Sequence, residues 1–347
     1  MENREQALAL REQLYHRYNV FRLAEANERH EKQFAFFSAN LYNLMPQMAQ
    51  NEYLPAFRQM HLHRRLSHLD VAHAARHDLL QIEGWGPDLL APLKRSPSII
   101  CTYHTGSYRL ICYLLLQWGV PFSLLVSASS YKTEQQAMQE RYGPLAKERG
   151  IAMDMELINA EAPHSLLHMA KAMNRGRCLL YFADGNKGLN AQAAARHLSS
   201  VRFLGGSLSV RTGMAWLAHA LQVPIYPLLC HRLARDTVRY RHYPQLCPQA
   251  GEGRESFVQR AAQTLYDHLA DMMQHDASQW EAWLYLHAYL LRTDTGPQEQ
   301  PNLANAAQWS LFRHRGRGYL MHRPTYMSYA ISREKYLDFR PVLGNYL

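Results

Sequence analysis

From residue 98 to residue 242, short apolar runs rich in β-formers alternate with longer helical ones, and a layered α/β domain is the arrangement that accommodates this rhythm. The runs Ser98–Tyr103, Phe122–Ser127, Ala152–Ile158, Arg177–Ala183, Val223–Cys230 and Val238–His242 read as strands. The stretches 107–118, 132–149, 164–174 and 206–221 read as helices, and two longer amphipathic helices follow near 254–274 and 278–291. The expected fold is α/β, with a central mixed, largely parallel sheet flanked by helices. Its core is expected over 76–292, after a helical N-terminal region (1–75) and before a short C-terminal extension (293–347).

The flanking regions have their own patterns. Leu8, Leu10, Leu14, Tyr18 and Phe21 recur at helical spacing, as do Phe34, Phe37, Leu41 and Leu44, with Pro46 and Pro55 as interruptions. His61-Leu62-His63-Arg64-Arg65 reads as a solvated helix face in preference to a metal site. After the linker signals Gly296-Pro297 and Pro301, the runs Trp309–Phe312, Tyr319–His322 and Tyr326–Ile331 read as short strands. Arg313, Arg315, Arg317 and Arg323 make this tail basic and aromatic. Such a patch suits nucleic acid or phosphate, or simply a β-extension with a solvated face.

A formal charge of +9 favours an acidic partner without choosing between a carrier protein, phosphates, an anionic lipid surface and nucleic acid. No apolar run reaches the roughly 20 residues that span a bilayer, and the opening residues lack a signal-peptide pattern. Cys101, Cys112, Cys178, Cys230 and Cys247 are scattered, without zinc spacing. They are expected to be buried thiols in a reducing cytoplasm.

Three stretches carry chemistry. In Ser98-Ile99-Ile100-Cys101-Thr102-Tyr103-His104-Thr105-Gly106-Ser107-Tyr108-Arg109, an apolar run delivers a histidine to a small-residue turn and a helix start. A histidine at a strand's carboxyl end suits a general base, and the amides that follow suit an anion or oxyanion. In Leu179-Leu180-Tyr181-Phe182-Ala183-Asp184-Gly185-Asn186-Lys187-Gly188, a strand ends in a carboxylate, glycines, an amide and a lysine. Lys187 and the backbone there could hold a phosphate or carboxylate, although Asp-Gly-Asn is also an ordinary turn. The third, Ser200-Val201-Arg202-Phe203-Leu204-Gly205-Gly206-Ser207, embeds an arginine before a Gly-Gly turn. Val223-Pro224-Ile225-Tyr226-Pro227-Leu228 reads as a packed core strand.

The order of these blocks resembles the lysophospholipid acyltransferase superfamily, closest to the late acyltransferases of lipid A biosynthesis. Leu204-Gly205-Gly206 before Thr212-Gly213, and the run Gln279-Trp280-Glu281-Ala282-Trp283-Leu284-Tyr285-Leu286-His287, fit that branch. The resemblance covers roughly 76–292. It implies acyl transfer from a thioester to a hydroxyl or amine, with a histidine and an acidic residue five positions later as the catalytic pair. His104 matches the histidine, but the acidic position holds Arg109. Asp184 is then the candidate carboxylate. The membrane-bound relatives open with an apolar anchor helix, which this chain lacks; a soluble acceptor, or peripheral attachment by basic charge, is expected instead.

The expected activity is transfer of an acyl or aminoacyl group from an acyl or peptidyl carrier protein to a small-molecule or lipid-like acceptor. It is placed in the cytoplasm, with peripheral contact at the inner membrane face. His104 and Asp184 are the expected catalytic residues. Gly106 and Ser107 are the expected oxyanion donors, and Arg109, Asn186, Lys187 and Arg202 the expected substrate contacts. No metal and no cofactor is expected beyond the phosphopantetheine of the carrier. The alternatives are a nucleic-acid-binding or tRNA-dependent protein using the basic tail, and a catalytically degenerate scaffold of the same fold.

Overall fold

The computed structural model describes residues 3–185, 198–288, 290 and 303–343. Three helices come first: α1 (Arg4–Asn19), α2 (Glu28–Leu44) and α3 (Tyr53–His77). Asn27 starts α2 by accepting a hydrogen bond from the His30 amide, with Glu28 and Glu31 in the first turn where the helix dipole favours them. Then come β1 (Gln81–Glu83), α4 (Pro87–Arg95), β2 (Ile99–Thr102), α5 (Leu110–Gln117), β3 (Phe122–Val126), α6 (Ala128–Arg149), β4 (Met155–Asn159), α7 (Ser165–Asn174) and β5 (Cys178–Phe182). Past residue 197 lie β6 (Leu198–Phe203), β7 (Gly206–Arg211), α8 (Gly213–Leu221), β8 (Ile225–Arg232), β9 (Thr237–His242) and α9 (Arg254–His275). The tail adds β10 (Trp309–His314), β11 (Arg317–His322), β12 (Ser328–Ile331) and α10 (Arg333–Leu343).

The expected α/β fold is present. Seven strands form one sheet in the order β1-β9-β8-β2-β5-β3-β4. Every pairing given for it is parallel except β8 with β9. Strand β2 sits between β8 and β5, and all four of its residues are buried. That burial on both faces is why Ile99-Ile100-Cys101-Thr102 shows no polar alternation. Among the described residues no helix is long and apolar enough to cross a membrane.

The chain forms two compact units that cut across the three consecutive segments read from the sequence. The first comprises Met1–Glu12, His63–Ser199 and Val210–Leu269, and holds the seven-stranded sheet. Its core includes Ile100, Leu114, Phe122, Leu180, Leu228 and Tyr240. The second comprises Gln13–Leu62, Ser200–Ser209 and Ala270–Leu347. There the antiparallel sheet β10-β11-β12 packs Phe312 and Met321, with Tyr326 from the β11–β12 turn, against Ala35 and Ala39 of α2.

Three local expectations are corrected. Residues 206–211 form strand β7, not the first turns of a helix. In Gly-Ser-Leu-Ser-Val, Leu208 and Val210 are buried and Ser207 and Ser209 only partly so, a period of two. In the helix expected over 278–291, residues 278–288 instead form short 3₁₀ turns, at Ala277–Gln279, Glu281–Leu284 and Leu286–Ala288. Trp280 takes an extended backbone between the first two, which lets it pack edge-on against both Phe203 and Trp283. His61 and His63 are buried, not solvated. His61 stacks on Tyr18 and meets Phe57 edge-on. Among the described residues no group of three metal-binding side chains occurs.

Candidate active site

Parallel pairing brings the first two chemical stretches together. Ile99 lies opposite Leu179 and Thr102 opposite Phe182. Continued by two residues, the same register sets His104 opposite Asp184, beyond the carboxyl ends of two central strands. Ligands of open α/β sheets bind at that end. The Ala183 amide still donates to the Thr102 carbonyl at 2.9 Å, so the ladder carries on to the site's edge.

Asp184 grips His104 twice. Its Oδ2 accepts the His104 backbone N–H at 2.9 Å, and its Oδ1 lies 2.8 Å from the ring Nδ1. A carboxylate only accepts, so this contact holds the imidazole proton on Nδ1 and leaves Nε2 as the basic nitrogen. The carboxylate is buried at 2% side-chain exposure, while the His104 side chain is 26% exposed. Phe182 stacks on the imidazole at 4.5 Å and Tyr108 meets it edge-on at 4.7 Å, which restricts ring rotation.

Two tyrosines tie both strand ends to α9. The Tyr103 hydroxyl donates to the Leu265 carbonyl at 2.9 Å, and the Tyr266 hydroxyl donates to the Ala183 carbonyl at 3.2 Å. Each anchored position directly precedes a member of the His104–Asp184 pair. The two rings also meet edge-on at 5.6 Å.

The turn after His104 is locked from within. Gly106 has φ +53°, and a Cβ there would lie 2.8 Å from the Cys230 carbonyl oxygen, so both conformation and space call for glycine. The Ser107 amide donates to Cys230 Sγ at 3.2 Å, and Tyr240 donates to the Ser107 carbonyl at 3.0 Å. The Ser107 hydroxyl donates to Asp70 of α3. Asp70, fully buried, also accepts from Arg232 and, at 2.6 Å, from Arg11.

This geometry corrects the expected oxyanion role of Ser107: its amide is engaged by a buried sulfur. Gly106 is buried, and its positive φ shapes the turn. Arg109 does not face His104 as an ion-pair partner. Its guanidinium donates to Ser67 Oγ at 2.7 Å and lies 4.3 Å from the Tyr108 ring centroid. Arg202 falls in the second unit, on β6, with an exposed side chain. Asn186 and Lys187 lie outside the described residues.

Sequence reasoning missed Asp70, Arg11, Arg232 and Tyr266. The first two sit within helices and Arg232 within a strand, where local pattern marks only a polar position. The cysteines offer no thiolate, and the expectation of buried thiols holds for four of five, Cys247 being only partly buried. Burial pushes the Cys101 and Cys230 thiols up to about 12, so they stay protonated and inert near neutrality. The cleft lined by Ser96, Met173, Leu221 and Pro224 lies at the amino ends of β2 and β8 and has no titratable group in its wall. No family model matches the chain, and no curated protein matches it either.

Proposed function

We propose that the chain is an acyltransferase that moves an acyl or aminoacyl group from a carrier-protein thioester to a hydroxyl or amine. The observation that carries this reading is the double grip of Asp184 on His104 at the carboxyl ends of β2 and β5. Asp184 supplies the carboxylate that the resemblance led one to seek at position 109. His104 Nε2 takes the proton of the acceptor O–H or N–H as the acceptor atom attacks the thioester carbonyl. The tetrahedral adduct collapses, the C–S bond breaks, and the imidazolium returns its proton to the leaving thiolate. Asp184 keeps the ring oriented and stabilises its charged form between those steps. A +9 chain suits an acidic carrier, and a cytoplasmic protein with peripheral contact to an anionic membrane face fits the same charge.

Two facts bear on the alternatives. Of the four arginines clustered between residues 313 and 323, Arg313 is paired with Glu31 and Arg323 is fully buried, so only Arg315 and Arg317 of that cluster remain for a nucleic-acid surface. The degenerate-scaffold reading rests on Arg109, yet a carboxylate reaches His104 from β5 instead.

The test offers the protein a set of acyl and aminoacyl carrier thioesters, the matching coenzyme A thioesters and charged tRNA, with mixed amines and alcohols. Mass spectrometry follows the unloading of each donor by wild type and His104→Ala. A carrier thioester is expected to be consumed, with a loss of about 10²–10⁴-fold in His104→Ala. Consumption of charged tRNA alone would replace the donor. Carrier binding with no His104-dependent turnover would favour the scaffold.

A further inference from the structure

Arg109 stands out among the groups around His104 because its guanidinium is fixed in place while no carboxylate among the described residues answers its charge. Its guanidinium is half-buried, pinned by Ser67 Oγ at 2.7 Å and laid against the Tyr108 ring at 4.3 Å. Its carbonyl is held by the Tyr142 hydroxyl at 2.9 Å. Among the described residues no carboxylate pairs with it. Asp70, one turn along α3 from Ser67, is already engaged by Arg11, Arg232 and Ser107.

The backbone adds to this imbalance. Arg109 occupies the N-cap position of α5, where the helix dipole already places positive potential. A cation there gains nothing from its own helix. Cation–π contact with Tyr108 and one hydroxyl orient the guanidinium but, among the described residues, bring no opposite charge to it. Such a group is prepared for an oxyanion, which a planar guanidinium meets with two parallel N–H···O bonds. Tyr108 links this arrangement to the candidate base: Arg109 lies against its ring at 4.3 Å, and the same ring meets the His104 imidazole edge-on at 4.7 Å.

The geometry points to Arg109 as an anchor for a carboxylate or phosphate carried by a substrate whose reacting atom lies at His104. The residue that replaces an acid in the sequence resemblance thereby recognises the substrate and does not activate the base. This inference rests on the acyl-transfer reading only for what the anion is attached to; the anion site itself can be tested without turnover.

Binding is measured by calorimetry and by NMR of the Arg109 side chain, with inorganic phosphate, acetate and pantetheine 4′-phosphate as probes. The proteins are wild type, Arg109→Gln, Arg109→Lys and His104→Ala, each checked for native thermal unfolding. At least one probe is expected to saturate wild type and His104→Ala alike and to bind Arg109→Gln about tenfold more weakly or worse. Arg109→Lys, which keeps the charge but not the fork, should recover part of that loss and serves as the test if the glutamine variant does not fold. Pantetheine 4′-phosphate binding well beyond inorganic phosphate assigns the anion to the donor arm; comparable binding of the two, or of acetate, assigns it to the acceptor. Equal binding in wild type and both Arg109 variants, or no binding of any probe, overturns the site. Loss of turnover in His104→Ala with probe binding intact leaves both readings standing, whereas retained turnover there removes only the catalytic one.

Discussion

Two buried carboxylates, Asp184 and Asp70, hold the two ends of the same short turn, at His104 and at Ser107, and only one of them faces a group that can exchange a proton. Asp184 grips His104, whose ring is part-exposed at the carboxyl end of β2. Asp70 grips Ser107, three residues on, together with two guanidiniums that stay charged at any ordinary pH. The first side combines a titratable ring, a fixed orientation and access. The second combines saturation and burial. A buried carboxylate by itself therefore says little about chemistry; what it holds, and whether solvent or substrate reaches that partner, decides between a site and a strut.

The sharpest way to break this contrast is to neutralise each carboxylate in turn. Asp184→Asn is expected to lower acyl transfer by about 10²–10⁴-fold while unfolding remains cooperative, because the ring loses its orienting charge. Asp154→Asn is the control: its side chain is 48% exposed and pairs with Arg177 at the surface, so the rate should hold. Equal, small effects in steady-state kinetics would remove Asp184 from the site.

Asp70→Asn should act on stability instead. It leaves Arg11 and Arg232 buried without their counter-ion, which typically costs about 3–5 kcal/mol. Denaturant unfolding checks this, and a loss below about 1 kcal/mol would mean that water or a neighbour replaces the carboxylate. Tyr266→Phe should give the smallest effect. It removes one hydroxyl from the Ala183 carbonyl, for about 0.5–1.5 kcal/mol. No change in unfolding midpoint would show that α9 does not hold the Asp184 side of the site.

The outward half of this arrangement was legible in the chain. A β-former run into His104 and a second run into Asp184-Gly185 announce two strand ends, and parallel neighbours in one sheet bring such ends together. The inward half was not. Ser107 meets Asp70 across 37 residues, Arg232 across 125 and Cys230 across 123, and no local pattern encodes those pairings. That is why Ser107 looked like an oxyanion donor: a small residue before a helix has that local signature whether its amide faces a ligand or a sulfur. The misread stretches have the same origin. Ser207 and Ser209 alternate with Leu208 and Val210 as a strand requires, but the apolar helix at Gly213–Leu221 follows so closely that its period masks the strand's. Around Trp280 and Trp283, burial of two indoles outweighed a helical pattern.

The claim on which the chemistry rests is that Asp184 keeps the His104 proton on Nδ1 and so leaves Nε2 as the base. Long-range proton–nitrogen NMR of the His104 imidazole, at a pH where the ring is neutral, reads that tautomer directly. Wild type is expected to show the Nδ1–H form, and Asp184→Ala to shift toward the Nε2–H form. An Nε2–H ring in wild type, or the same tautomer with and without the Asp184 carboxylate, would contradict it.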